Sequence, residues 1–188
     1  MIVFTAVAYD KPVQNTIEID ESLFAKIAKG ESASFERLYL LCKDVVFSYA
    51  LSTLRNPYDA DDAASEVFLK IRSAAHLYKP SGKPMAWIFT ITRNVCLMKL
   101  REQKKYSELN DIAAGQGFDI IPDIEDRLVL ETSLKILGED EMKIIMLHAV
   151  AGMKHREIAD LLNKPLSTVL SRYNRGIKKL RKELEKAL

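Results

Sequence analysis

The chain has little of what reactive sites are usually built from. Its 188 residues include two cysteines, seven glycines, one tryptophan and three histidines. Cys42 and Cys96 stand at unrelated spacing in helix-like segments, so they form neither a disulfide framework nor a CxxC pair, and a reducing compartment is expected. His76, His148 and His155 are isolated, with no two at metal-ligand spacing on one helix face. There is no P-loop and no glycine-rich phosphate turn. No apolar run approaches the roughly 18–20 residues of a membrane span, and the opening MIVFTAVAYDKP lacks a basic flank and soon turns polar and acidic. These absences argue against an enzyme, a secreted protein and membrane insertion. The expectation is a cytoplasmic protein with no catalytic residue, no metal and no cofactor.

Net charge is also scarce, at +2, but it hides a strong segregation. Residues 59–66 hold four acids and no base, a net of −4. Residues 93–105 hold five bases and one acid, a net of +4. Residues 107–141 hold ten acids against two bases, a net of −8, and residues 154–182 hold nine bases against two acids, a net of +7. Screening confines each field to about 8–10 Å, so a basic block attracts phosphate whatever the whole-chain sum. A solvated charged face is the plain alternative for any single run.

The pattern that is present is helical. Beyond a β-like IVFTAVAY at residues 2–9, apolar residues recur at steps of three and four. SLFAKIAKG stops at Gly30, and the next helix carries Phe35, Leu38, Leu41/Cys42, Val45/Val46 and Tyr49 on one face. Asn56–Pro57 breaks it, and Asp59 or a neighbouring Asp is expected to cap a helix with Ala60, Ala64, Val67/Phe68, Ile71 and Ala74/Ala75 inward. YKPSGKP, residues 78–84, reads as a loop. A helix from near Met85 should turn Trp87/Ile88, Ile91, Val95 and Met98 inward and end in REQKK. Periodicity fades over 106–126 and resumes at Arg127 with Leu128, Leu130, Leu134 and Leu137. EDEMKIIMLHAVAG should form a further helix ending at Gly152. The expected fold is all-α: two small helical domains, 22–105 and 127–188, joined by an acidic linker over 106–126, with 1–21 an extension of no assigned role.

The end of the chain, KHREIADLLNKPLSTVLSRYNRGIKKLRKEL, reads as helix, turn, helix. Ile158, Ala159, Leu161 and Leu162 are the apolar set of the first helix, and Pro165 suits the start of the second. Val169, Tyr173, Ile177, Leu180 and Leu184 form an inward stripe. The opposite face shows Thr168, Ser171, Arg172, Arg175, Lys178 and Lys179. The N-terminal part of such a helix suits the major groove, and the bases further along suit phosphates. This pattern alone fits a repressor as well as an initiation factor.

The middle block separates them. DADDAASEVFLKI, then YKPSGKPMAWIFTITRN, then REQKK, is an acidic helix, a loop and an aromatic helix running into bases. With the helix-turn-helix, it resembles a bacterial RNA polymerase sigma factor of the sigma-70 family, in the small extracytoplasmic-function (ECF) group that keeps only regions 2 and 4. The resemblance covers roughly 22–105 and 127–186. It implies that Asp61, Asp62, Ser65, Glu66 and Lys70 bind core polymerase, although Asp59, Asp61 and Asp62 also compensate the helix dipole. It implies that Tyr78, Lys79, Ser81, Lys83 and Asn94 contact an extruded base of the −10 element, with Arg93, Lys99, Arg101, Lys104 and Lys105 on its phosphates. Trp87 is read as a core anchor. Ser167, Thr168, Ser171, Arg172, Arg175, Lys178 and Lys179 would read the −35 element. The implied partners are core RNA polymerase, through its β′ clamp and β flap, promoter DNA and, by analogy with the group, an anti-sigma factor. Ser65, Met98 and Leu170 depart from the family's usual Gln, acid and Lys or Arg. The rival reading is a helix-turn-helix regulator with a LuxR-like output domain and a helical sensing domain, which has no reason to carry the block 59–94.

Overall fold

The computed structural model describes residues 17–110 and 136–187. Among the described residues the chain is helical without strands and divides into two units. The β-like stretch 2–9, residues 111–126 of the expected linker and the helical pattern 127–135 lie outside the described residues.

The first unit holds α1 (Ser22–Ala28), α2 (Ser32–Leu54), α3 (Pro57–Ala74) and α4 (Pro84–Asn110), with a short 3-10 turn, Ala75–Leu77, after α3. Gly30 follows α1 at φ 87, a conformation that an L side chain adopts only with strain. The face expected on α2 is kept at Leu38, Cys42, Val45, Val46 and Tyr49, whereas Leu41 is exposed and Phe35 is half-buried. The C-terminal half of α2 is buried on every side, from Val45 through Leu54. Its hydroxyls find partners within the helix: Ser52 Oγ and Thr53 Oγ1 both donate to the Tyr49 carbonyl, at 2.7 and 3.0 Å.

Three expectations are corrected here. The cap of α3 is Asn56, not an aspartate: its side-chain oxygen accepts from the N–H groups of Tyr58 (2.9 Å) and Asp59 (3.2 Å), with Pro57 in the first turn. Also, α4 is turned by about one residue from the predicted phase. Met85, Ile88, Phe89, Thr92, Val95 and Cys96 are the buried set, and Met98 is 41% exposed. Thr92 enters the core because its hydroxyl donates to the Ile88 carbonyl at 3.0 Å, leaving its methyl to pack. In addition, α4 runs to Asn110, into the segment read as linker.

The second unit holds α5 (Glu139–Ile145), a π-helical turn Met146–Val150, α6 (His155–Leu162) and α7 (Leu166–Ala187). The predicted stop at Gly152 is met, with φ 69. Glu141 and Glu157 each accept from the backbone N–H three residues earlier, of Gly138 and Lys154, at 3.0 Å. Asn163 closes α6 in the left-handed region, at φ 53, and the Pro165 carbonyl accepts from Val169 N–H at 3.1 Å to start α7. Val169 and Leu180 are buried, while Tyr173 and Ile177 are half-buried. Gly176 is where α7 presses on α5: a Cβ there would lie 2.6 Å from Ile145 Cδ1 and 3.3 Å from Glu141 Cβ.

Candidate nucleic-acid and polymerase interfaces

Three surfaces collect the candidate residues. The first is the outer face of α3. Asp61, Asp62, Ser65 and Lys70 are exposed and Glu66 is half-buried, with Lys70 Nζ 3.4 Å from Glu66. Asp59 is drawn away from this group, accepting from Gln103 Nε2 of α4 at 2.8 Å. Two large apolar side chains share the acidic stripe, Tyr58 (63% exposed) and Leu69 (66%). Spacings of three and four from Tyr58 through Asp61/Asp62 and Ser65 to Leu69 put them on one face. The sequence carried a signal for Leu69, since it falls off the inward set Ala64, Val67/Phe68, Ile71. An acidic face with apolar members suits a basic, partly apolar protein surface and repels nucleic acid.

The second surface is the loop after α3 and the outer face of α4. Tyr78 stacks on Phe24 of α1 with ring centroids 4.0 Å apart, and the Trp87 edge meets both rings at 5.3 and 5.2 Å. This places Trp87 in an anchoring cluster. The Tyr78 hydroxyl is buried without a completed hydrogen bond. Burial, with Glu21 beside it, pushes its phenol up to about 12. Lys79, Ser81 and Lys83 are exposed, and Gly82 takes φ 69. Ser81 N–H donates to Glu21 Oε2 at 3.0 Å, bridging sixty positions of sequence. On α4, Thr90, Asn94, Met98, Arg101 and Lys105 are all exposed and follow steps of four, four, three and four, which makes one stripe. Arg93 flanks it half-buried, and Lys104 is exposed beside it. Lys99 is half-buried and lies about 140° around the helix from Asn94, so it does not share the stripe.

The third surface is α7. Ser167, Ser171, Asn174 and Lys178 are exposed at steps of four, three and four, a polar stripe opposite Val169 and Leu180. Asn174 was missed in the sequence because a neutral side chain between Tyr173 and Arg175 adds nothing to a charge pattern. Thr168 is half-buried and Leu170 is 40% exposed on the flank. The basic residues divide. Arg172 pairs with Asp140 of α5, which also accepts from Lys164 at 2.9 Å. Lys179 donates to Glu141 at 2.6 Å, and Arg175 reaches the same carboxylate at 4.0 Å. Burial alone would raise both carboxyls. The Lys164 hydrogen bond and charge with Arg172 and Lys143 hold Asp140 below its usual value, and Lys179, the Gly138 N–H and Arg175 do the same for Glu141.

Behind α7 the histidines are not isolated. The His148 and His155 rings lie 4.0 Å apart, and Tyr173 meets both edge-on at 5.0 and 4.7 Å. His148 Nδ1 bonds the Met153 carbonyl at 2.8 Å, whereas buried His155 Nε2 has no partner. Burial first, then His148, lowers the His155 pKa. Among the described residues no group of three His, Cys, Asp or Glu could hold a metal, and no helix is long and apolar enough to cross a membrane.

A family model described as Sigma-70 region 2 matches residues 38–106, and one described as Sigma-70, region 4 matches residues 127–180. The ECF RNA polymerase sigma factor SigW of Bacillus subtilis (strain 168) is 26% identical over 174 residues, covering 85% of this chain and 93% of that protein. The ECF RNA polymerase sigma factor SigK of Mycolicibacterium vanbaalenii is 24% identical over 176 residues, covering 89% of each. In solved structures, CnrH bound to the cytosolic domain of CnrY matches with a TM-score of 0.59 and 23% identity, over 89% of this chain and 97% of that one. RpoE bound to the anti-sigma factor NepR from Bartonella quintana matches with a TM-score of 0.60 and 21% identity, over 80% and 96%. These two structures support the fold.

Proposed function

The chain belongs to the sigma-70 family of RNA polymerase sigma factors, in its extracytoplasmic-function group, and directs promoter recognition by core polymerase; we propose that its two units divide that task residue by residue as follows. The observation that carries the reading is the succession of region 2 and region 4 on one chain, each on a unit with its own basic stripe. A LuxR-like regulator would have no use for the region 2 match.

The acidic and apolar face of α3, with Asp61, Asp62, Ser65, Glu66, Lys70 and Leu69, docks on the β′ clamp of core polymerase. The loop 78–83 receives an unpaired base of the −10 element, and Asn94 and Arg101 on α4 follow the opened strand. Extruding a base costs a few kcal/mol, which a shaped pocket and hydrogen-bonding groups offset. Ser167, Ser171, Asn174 and Arg175 enter the major groove of the −35 element, with Lys178 and Arg172 at its edge. The second unit also engages the β flap. Of the segment 106–126, residues 106–110 belong to α4 and the rest serves as a connector, and an anti-sigma factor covers the polymerase- or DNA-facing surfaces when the protein is held inactive. The protein works in the cytoplasm and carries no catalytic site.

Runoff transcription with purified core polymerase tests this reading. Wild-type protein should give promoter-dependent transcripts only with core. Asn94→Ala should bind core with unchanged affinity and lose open complexes about tenfold, the equivalent of one base contact of ~1–3 kcal/mol. Duplex promoter binding without core, and no transcripts with it, would overturn the proposal.

A further inference from the structure

Nothing in the family match assigns a role to the residues before 38. Yet the loop of the −10 reading is held from there. Tyr78 N–H bonds the Ala75 carbonyl at 3.2 Å, and the Ser81 N–H finds a partner outside the loop. That partner is the Glu21 carboxylate, at 3.0 Å. Three residues on, the Phe24 ring lies flat against Tyr78, 4.0 Å away at an interplanar angle of 28°. The two anchors are themselves fixed. Phe24 is 1% exposed, and just before α1 Asp20 accepts from Ser22 N–H at 2.9 Å and Ser22 Oγ at 2.7 Å, while the Glu21 side chain reaches across to the loop.

We propose that Glu21 is a positioning residue for promoter opening: its carboxylate, with the Phe24 ring behind it, clamps loop 78–83 in the shape that accepts the unpaired −10 base. The inference rests on the reading of that loop given above. Two prolines and a glycine let residues 78–84 adopt many shapes, and a loop ordered before binding loses less freedom when the base arrives. A hydrogen bond to a backbone N–H fixes Ser81 itself, independent of its side chain. Glu21 is half-buried and meets the Phe24–Tyr78–Trp87 cluster at the Tyr78 hydroxyl, so core binding is measured beside oligonucleotide binding to separate positioning from folding.

The test uses the full chain assembled with core polymerase and a fluorescent single-stranded oligonucleotide carrying the non-template −10 sequence. Three variants are compared: wild type, Glu21→Ala and Glu21→Gln, which keeps an acceptor oxygen at the same reach. Glu21→Ala should bind core as wild type does, bind the oligonucleotide about five- to tenfold more weakly and discriminate less between the −10 base and its substitutes. Glu21→Gln should restore both affinity and discrimination. Equal oligonucleotide affinity and discrimination in wild type and Glu21→Ala would overturn the inference. So would a parallel loss of core binding, which marks a folding role, or a Glu21→Gln variant as weak as Glu21→Ala. If the wild-type holoenzyme itself ignores the −10 sequence, the underlying reading of the loop fails, and this inference with it.

Discussion

The two helices proposed to meet DNA, α4 and α7, handle their positive charge in opposite ways. On α4, Asn94, Arg101 and Lys105 form a stripe with no acid among them, and Asp61, Asp62 and Glu66 lie on α3, whose Asp59 accepts from Gln103 of α4. On α7, Arg172, Arg175 and Lys179 meet Asp140 and Glu141 of α5. The first arrangement keeps the acidic face of α3 apart from the basic residues of α4. The second holds Arg172 in place in advance, because its guanidinium, paired with Asp140, has already given up rotamer freedom. Binding phosphate there exchanges one anion for another, so the second unit should release fewer counterions than its count of bases suggests.

The contrast depends on α5 and α7 touching, and Gly176 is where they do. Gly176→Leu should destabilise the second unit by about 3 kcal/mol through overpacking against Ile145 and Glu141. Calorimetry of the full chain should show the transition of that unit lowered and the other unchanged. A single unshifted transition would mean that the close approach is dispensable. A smaller effect probes the ion pairs. Asp140→Asn should free Lys164 and Arg172, steepening the salt dependence of duplex binding by about 1–2 counterions and raising non-specific affinity at low salt. Anisotropy titrations over a salt series measure both, and an unchanged slope would erase the difference between α4 and α7.

Acid should distinguish the units too. His155 has a lowered pKa in the folded protein, so the unfolded chain takes up its proton first as pH falls through 6.5. The stability of the second unit should therefore decline below that pH, levelling once folded His155 is also protonated. His155→Gln should remove this step, and thermal melts at successive pH values would reveal it. Asp140 and Glu141, held below their usual values, add a second loss only under more acidic conditions. The smallest expected change is at Leu170. Leu170→Lys should add one phosphate contact and steepen the salt slope by about 0.9, leaving −35 preference intact.

Much of this architecture was legible from spacing alone. The buried faces of α2 and α3 follow the apolar residues, since nothing competes with them for the core. In α4 the apolar pattern misled by one position. Thr92 ranks low as a core marker, yet it is 0% exposed beside an equally buried Cys96, while Met98 faces out. Opposite charges at 139–141 and 172–179 were visible as blocks, but their pairing was not, because it depends on how closely Gly176 lets two helices approach. The contact of His148 with His155 was hidden for a related reason: a π turn and a left-handed glycine fold seven residues back on themselves. The hold of Glu21 on Ser81 leaves no trace in periodicity.

The two thiols have a practical consequence. Cys42 and Cys96 are both 0% exposed, and burial pushes the Cys42 thiol up to about 12. Since the thiolate is the reacting species, maleimide reagents at neutral pH should pass over Cys42 in the folded protein. A cysteine introduced at Ser81 or Ser171 would then carry a dye or cross-linker with little competition, so each surface proposed to meet DNA can be tracked without first removing either native thiol.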